Sequence, residues 1–155
     1  MNTKKFLLSV LAVILTTSLF AQVDLSGNWK LNTSKSKLGE QFSMAPKTIV
    51  VSQKSNDMSV EKHSEFQGNE FTSTDKYTLD GKECVNKGFM DTEKKSTAVW
   101  SGDKKSLTVT SKIPMQGETM TITEIYSMEN GSMVIKSKAS SSYGDMEETQ
   151  VYDKK

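Results

Sequence analysis

The sequence contains one cysteine, one histidine and no arginine. A single cysteine, Cys84, excludes an intramolecular disulfide, and one cysteine with one histidine offers too few ligands for a usual zinc site. Without arginine, the chain lacks the side chain that best recognises phosphate or carboxylate through two hydrogen bonds. Glycine-rich phosphate loops and a Gly-x-Ser-x-Gly nucleophile turn are also missing. We therefore expect no cofactor, no metal site and no assigned catalytic residue.

The first 21 residues have the pattern of an export signal. Lys4 and Lys5 precede an apolar run over residues 6–15, and Ala21 is a small residue suited to cleavage after it. The run is too short for a comfortable membrane span, and no second one follows. We predict that residues 1–21 are a cleavable secretory signal peptide and that the protein is periplasmic or secreted.

The remaining chain, residues 22–155, is the size of one domain. Removing the signal removes two lysines and no acidic residue, so the formal net charge falls from +1 to −1. This balance favours neither nucleic acid nor an anionic membrane as a partner, and no transmembrane segment is expected after signal removal. A small apolar ligand or a protein partner remains possible.

Alternation of apolar and polar residues dominates this part of the chain. Residues 106–110 and 120–123 alternate with the period of a half-buried strand, and Asp80-Gly81 and Asn130-Gly131 are strong hairpin signals. The pattern predicts strands near 27–33, 47–53, 57–63, 70–79, 82–89, 95–101, 105–113, 118–128, 132–139 and 146–152. The longest connection, residues 34–46, has room for one short helical turn.

Short links between consecutive strands favour sequential antiparallel pairing. A sheet of so many strands has exposed edges unless it closes on itself. We therefore predict an all-β fold, an antiparallel meander closed into an up-and-down barrel of about 8–10 strands. The similarity between residues 77–81 and 126–131, each an aromatic residue followed by an acidic residue and glycine, predicts the same hairpin used twice.

Gly27-Asn28-Trp29 opens the first predicted strand after the signal. This triplet resembles the Gly-x-Trp start of lipocalins and related calycin barrels, and the phrase over residues 26–32 resembles small exported lipocalin-like bacterial proteins. The resemblance implies that Gly27 and Trp29 are structural residues, with the tryptophan packed across the closed end of the barrel. A lipocalin covers this tryptophan with a late arginine, and here Lys136, Lys138 or Lys154 would have to replace it.

The leading functional hypothesis is binding of a small, partly apolar ligand inside the barrel. Eight methionines follow residue 21, and methionine can line a cavity that accepts varied ligands, although it can equally fill gaps in a core. Candidate ligand-binding residues are the aromatic and apolar side chains Tyr77, Trp100, Met120, Ile122 and Tyr126.

Two other functions remain open. The same fold could act as a non-catalytic protein-interaction or envelope-associated module through its loops. A hydrolase would need His63 as its general base, with Glu61 two residues earlier on the same face of a strand. This enzyme hypothesis requires His63 to lie in a concave site beside a carboxylate or hydroxyl. The acidic residues Asp145, Glu147 and Glu148 are expected at a solvated end of the last strand.

Overall fold

A computed structural model describes residues 21–66, 68–88, 91–115 and 117–155. The predicted signal peptide, apart from Ala21, lies outside the described residues. Ten β-strands run through them, and these are β1 (Gly27–Leu31), β2 (Thr48–Lys54), β3 (Asp57–Phe66), β4 (Asn69–Thr78), β5 (Cys84–Lys87), β6 (Glu93–Trp100), β7 (Ser106–Met115), β8 (Glu118–Glu129), β9 (Ser132–Ser141) and β10 (Gly144–Lys154).

The strands form one antiparallel sheet in which every consecutive pair is hydrogen-bonded except β4 and β5. The first strand also pairs with the last, with Trp29 opposite Lys154 and Leu31 opposite Tyr152, which curls the sheet into a nearly closed barrel. The predicted all-β antiparallel meander is therefore confirmed.

The two similar segments do not form the same turn. At Asn130-Gly131 both residues have positive φ, 50° and 82°, and the turn joins the paired strands β8 and β9 as predicted. At Asp80-Gly81 the glycine also has a φ of 80°, but the flanking strands β4 and β5 do not form a ladder. The prediction of a second hairpin there was wrong.

Side chains bridge the gap between β4 and β5. The Asn86 side chain accepts a hydrogen bond from the Lys76 N–H at 2.8 Å and donates one to the Lys76 carbonyl at 3.0 Å. The Thr78 N–H donates to Cys84 Sγ at 3.3 Å. The Asn86 carboxamide thus replaces a backbone neighbour for the edge of β4, and Cys84 is a half-buried residue of this gap rather than a core residue.

One end of the barrel is closed and packed. It holds the turns at 55–56, 79–83, 101–105 and 130–131, and the segment over 21–26 lies against it. Leu25 in this segment is fully buried, and the Val23 N–H donates to the Lys104 carbonyl at 3.1 Å. The core at this end is made of large inward side chains, chiefly Trp29, Ile49, Val51, Met58, Val60, Tyr77, Leu107, Val109, Tyr126, Met133, Ile135 and Tyr152.

Trp29 occupies the position that the lipocalin resemblance implies. It is 2% exposed, and its indole N–H donates to the Leu25 carbonyl at 3.0 Å. The Nζ atom of Lys154 lies 5.7 Å from the centre of the Trp29 ring, at the distance of a cation–π contact. Of the three lysines considered for the place of the lipocalin arginine, Lys154 is the one in contact with the tryptophan.

The connection between β1 and β2 runs beside β10 without a helix over its described length. Lys37 and Thr149 exchange two backbone hydrogen bonds, of 2.7 and 2.9 Å. The connection lies at the opposite end from the core, together with the turns after β3, β5, β7 and β9. We call this end the open rim.

Trp29→Ala should lower the free energy of unfolding by roughly 3–5 kcal/mol, because a fully buried indole leaves a cavity and an unpaired Leu25 carbonyl. Trp100→Ala should cost less, since Trp100 is only partly buried at the edge of the core. Chemical denaturation measures both values. A denaturation midpoint near wild type for Trp29→Ala would contradict the packing described above.

Gly131→Val should destabilise the protein by roughly 1–2 kcal/mol, because a β-branched residue is strained at a φ of 82°. A Cβ at Gly131 would meet no atom within 4 Å, so the cost comes from the backbone alone. Gly102→Val is the matched control, since that turn glycine has equal space without a positive φ. Equal denaturation midpoints for the two variants would refute the argument.

Asp153 ties three parts of the chain together. Its carboxylate accepts hydrogen bonds from the Asn32 side chain at 2.6 Å, the Ser132 hydroxyl at 2.7 Å and Lys35 Nζ at 3.0 Å. These donors hold the pKa of Asp153 at about 2, below its ordinary value of 3.8.

A carboxyl group with a lowered pKa stabilises the fold above its ordinary pKa and loses that effect as the pH falls through the lowered one. We therefore expect the unfolding free energy of the wild type to fall between about pH 4 and pH 2. Asp153→Asn should be less stable at pH 7 and show a shallower fall, measured by urea titration at several pH values. Glu129→Gln, which removes a charge outside this network, should keep the wild-type slope.

Candidate functional site

Four charged side chains meet inside the barrel, about halfway between the closed end and the open rim. They are Lys62 on β3, Asp75 on β4, Lys94 on β6 and Glu124 on β8. Lys62, Asp75 and Glu124 each lie two residues from a buried apolar or aromatic side chain on the same strand, and Lys94 lies two residues from the buried Ser96. Alternation of the side chains therefore turns all four inward. Their side chains are 15%, 1%, 13% and 12% exposed, respectively. We call these four residues the ionic cluster.

Both lysines of the ionic cluster are paired. Lys62 Nζ lies 2.8 and 3.0 Å from the two carboxylate oxygens of Glu124, and 3.9 Å from Asp75 Oδ2. Lys94 Nζ lies 2.5 Å from Asp75 Oδ1. Buried charges are tolerated when they are paired in this way, and removing one partner leaves the other uncompensated.

Two buried tyrosines lie beneath the ionic cluster, on the side of the closed end. Tyr77 and Tyr126 are 3% and 0% exposed, and neither hydroxyl has a hydrogen-bond partner within bonding geometry among the described residues. Burial raises the pKa of both phenols, while the charge of Lys62 acts in the opposite direction. Burial alone would lower the pKa of Lys62, but Glu124, the two tyrosines and Asp75 together raise it well above its ordinary value.

A second buried polar group lies on β10. Glu148 accepts hydrogen bonds from the Gly39 N–H at 3.0 Å and the Gln150 side chain at 2.9 Å. The Tyr152 hydroxyl lies 3.1 Å from two acceptors, the Pro46 backbone carbonyl and the side-chain Oε1 atom of Gln150. Glu148 is 5% exposed, so its expected place at a solvated strand end was wrong. Asp145 and Glu147 are exposed as expected, because the alternation places them outside the barrel near the rim.

The five predicted ligand-binding residues all face inward but at two levels. Tyr77 and Tyr126 are part of the packed core, and Trp100 packs against it. Met120 and Ile122, on β8 above Glu124, are only half-buried. Solvent therefore reaches inward side chains above the ionic cluster, and we call this part of the interior the open half. The use of all five residues in ligand binding stays a prediction.

Large apolar side chains surround the open rim. Phe42 is 52% exposed, Phe71 51%, Met115 40% and Tyr143 87%. They come from four separate segments that the topology brings to the same end of the barrel. An apolar rim around a solvent-accessible interior is suited to an amphipathic ligand or an apolar partner surface.

His63 lies outside the barrel, in a groove of about 710 Å³ on the outer face of β1–β4. Its Nε2 is 2.7 Å from Glu61 Oε1, and its Nδ1 is 3.1 Å from the Thr72 hydroxyl. The side chains of His63 and Glu61 are 42% and 44% exposed. His63 therefore lies in a concave site, as the enzyme hypothesis requires, and hydrogen bonds link it to a hydroxyl on one side and a carboxylate on the other. The groove is also lined by Asn28, Thr48, Val50, Glu65 and Lys155.

Across residues 21–66, 68–88, 91–115 and 117–155, no three histidine, cysteine, aspartate or glutamate side chains are grouped as ligands for a metal ion.

Within the same part of the chain, no helix is long and apolar enough to cross a membrane.

Solved structures of other proteins share this fold. A zebrafish ileal bile acid-binding protein complexed with cholic acid is 17% identical, with a TM-score of 0.59, covering 84% of this chain and 98% of its own. A secretory abundant heat soluble protein from Ramazzottius varieornatus is 17% identical, with a TM-score of 0.61 and coverages of 84% and 95%. A Schistosoma mansoni fatty acid binding protein in complex with arachidonic acid is 17% identical, with a TM-score of 0.51 and the same coverages.

These similarities support the fold, an antiparallel β-barrel that is nearly closed and lipocalin-like in architecture. No family model and no curated protein matches the sequence.

Sequence reasoning missed the ionic cluster, although the signal was present. In Ile122-Thr123-Glu124-Ile125-Tyr126, the glutamate occupies the same phase as Ile122 and Tyr126. A charged residue in the inward phase of an alternating strand predicts a buried charge. The partners of such a charge lie on other strands, so one strand alone does not identify them.

Glu124→Gln should lower the free energy of unfolding by about 3 kcal/mol, because it leaves Lys62 without its main counter-charge in a largely buried site. The double variant Lys62→Met/Glu124→Gln should recover part of the loss, since it removes both charges. Urea denaturation of the two variants and the wild type measures the difference. If the double variant proves less stable than Glu124→Gln, the pairing does not explain the stability.

Proposed function

We propose that this protein binds a small amphipathic molecule in the open half of its barrel. The observation that supports this proposal is the order of four environments inside the barrel, from the closed end to the open rim. A packed core is followed by the ionic cluster, then by half-buried apolar side chains, and finally by an exposed apolar rim. A ligand with a polar head and an apolar tail has groups for each of the last three environments.

The similar structures support the proposal at the level of the fold. Two of them were determined with cholic acid or arachidonic acid bound. The position of Met120 and Ile122 supports it independently, since these apolar side chains face inward yet remain accessible. Covering them with a ligand would remove apolar surface from water.

Binding can be tested with Nile red, an uncharged dye whose fluorescence rises in apolar surroundings. We expect saturable binding at one site per chain. Ile122→Asn should weaken it by about tenfold, because an inward apolar contact worth roughly 1.5 kcal/mol is lost. Ile125→Asn is the matched control on the same strand, because Ile125 is on the outer face and 36% exposed. Equal effects of the two substitutions would place the dye outside the barrel.

Native mass spectrometry of protein isolated from its own cells provides a second test. A co-purifying small molecule, lost from Ile122→Asn and retained by Ile125→Asn, would support binding in the open half. Absence of both a co-purifying molecule and saturable dye binding would reject the proposed function.

We also propose that the protein is exported, on the basis of the positive start, apolar run and Ala21 of the N-terminal segment. Val23 and Leu25 already pack on the barrel, so cleavage after Ala21 would leave this packing intact. N-terminal sequencing of the mature protein should begin at Gln22. A chain that retains Met1 in the cell would contradict export by a cleaved signal.

Hydrolysis is a second candidate function, favoured by the series Thr72–His63–Glu61 in the outer groove. It predicts turnover of an activated ester, abolished by His63→Gln. The same variant should leave Nile red binding unchanged, because His63 lies outside the barrel. A wild type without esterase activity would leave the series as a surface hydrogen-bond network.

A further inference from the structure

We propose that the open half selects an amphipathic molecule with an uncharged hydroxyl-bearing head group, such as a monoacylglycerol, over one with a free carboxylate. This inference rests on the proposed function, because it names the class of ligand for the same site. It depends on the ionic cluster, which forms the floor that a ligand entering from the rim would reach.

The first argument is that neither interior lysine of the cluster is free to pair with a ligand anion. Lys62 contacts both oxygens of Glu124, and Lys94 contacts Asp75 at 2.5 Å. A ligand carboxylate would have to displace one of these partners. The displaced carboxylate would then be buried without a counter-charge, which is strongly unfavourable.

The second argument is the balance of charge around the floor. The two lysines of the ionic cluster face three carboxylates, because Glu148 on β10 adds to Asp75 and Glu124. Glu148 is opposite Ser137 on β9, and Ser137 is opposite Glu124 on β8. The hydrogen bonds of Glu148 come from Gly39 and Gln150, which carry no charge. The formal charge around the floor is therefore −1, which repels another anion.

The third argument is that the floor offers hydrogen-bond acceptors to a neutral group. Neither oxygen of the buried Asp75 carboxylate has a hydrogen-bond partner of good geometry among the described residues. Oδ2 lies 3.9 Å from Lys62, so it retains acceptor capacity. A ligand hydroxyl can donate to this carboxylate without disturbing the ion pairs, whereas a ligand carboxylate has no hydrogen to donate.

The depth of the open half suggests the length of the tail. Glu118 at the rim lies six positions before Glu124, and this stretch of strand spans roughly 20 Å. A tilt typical of barrels reduces its height to roughly 15 Å. An extended acyl chain of about ten carbons is comparable with this depth. Its tail would contact Met120 and Ile122 and end near Phe71.

The test compares the affinities of two ligands with the same tail, monodecanoylglycerol and decanoate. Each is measured by displacement of Nile red from the mature protein, residues 22–155, at pH 7.5. Both are used below their micelle concentrations. We expect the uncharged ester to bind at least about tenfold more tightly.

Two variants test the cause. Asp75→Asn frees Lys94, and Glu124→Gln frees Lys62, so each should raise the affinity for decanoate by about tenfold with little change for the ester. Glu61→Gln is the matched control, since it removes a carboxylate from the outer face of β3 next to Lys62. Circular dichroism checks that each variant is folded, and the wild-type comparison decides ligand preference without them.

Each outcome has a distinct meaning. Decanoate binding to the wild type as tightly as the ester would overturn the inference while leaving the proposed function in place. Preference for the ester that survives unchanged in folded Asp75→Asn and Glu124→Gln would overturn the role of the ionic cluster. Binding of neither ligand, together with no saturable binding of Nile red, would reject the proposed function itself.

Discussion

The pairing of Lys62 with Glu124 is the interaction on which the rest of this barrel depends. It links β3 to β8 across the interior, two strands that share no hydrogen bond in the sheet. Below it, large apolar side chains fill the barrel, and above it they become sparse and accessible. A charge pair cannot lie within an apolar core without a large desolvation cost, so its position limits how far the core extends.

The same pairing separates a packed closed end of the barrel from a more accessible open rim. Stability comes from the closed end, where Trp29 is held by the Leu25 carbonyl and covered by Lys154. The open rim contributes less to the core and exposes apolar side chains such as Phe71. Residues at the rim can therefore vary without removing the packing that keeps the barrel folded. Rigid scaffolds commonly carry their functional residues on such loops and strand ends.

Much of the fold could be predicted from alternation and turn residues. All ten expected strands exist, and the Asn130-Gly131 turn has the backbone that its residues favour. The gap after Asp80-Gly81 could not be predicted, because whether two strands pair depends on how the whole sheet curls. Local turn chemistry is compatible with both a paired hairpin and an open gap. The bridging role of Asn86 follows from that gap and leaves no pattern of its own.

The candidate site was predictable in part. Ile122 and Met120 were identified because they are apolar residues in an alternating strand, and they do face the open half. Glu148 was placed in solvent because it adjoins Glu147, whereas alternation separates the two to opposite faces of the sheet. The ionic cluster agrees with composition on one point: a chain without arginine lacks the side chain that best binds a carboxylate. The structure adds a stronger reason, since the lysines that could replace arginine are already neutralised. Selectivity against anions would then follow from the same contacts that allow these charges to be buried at all.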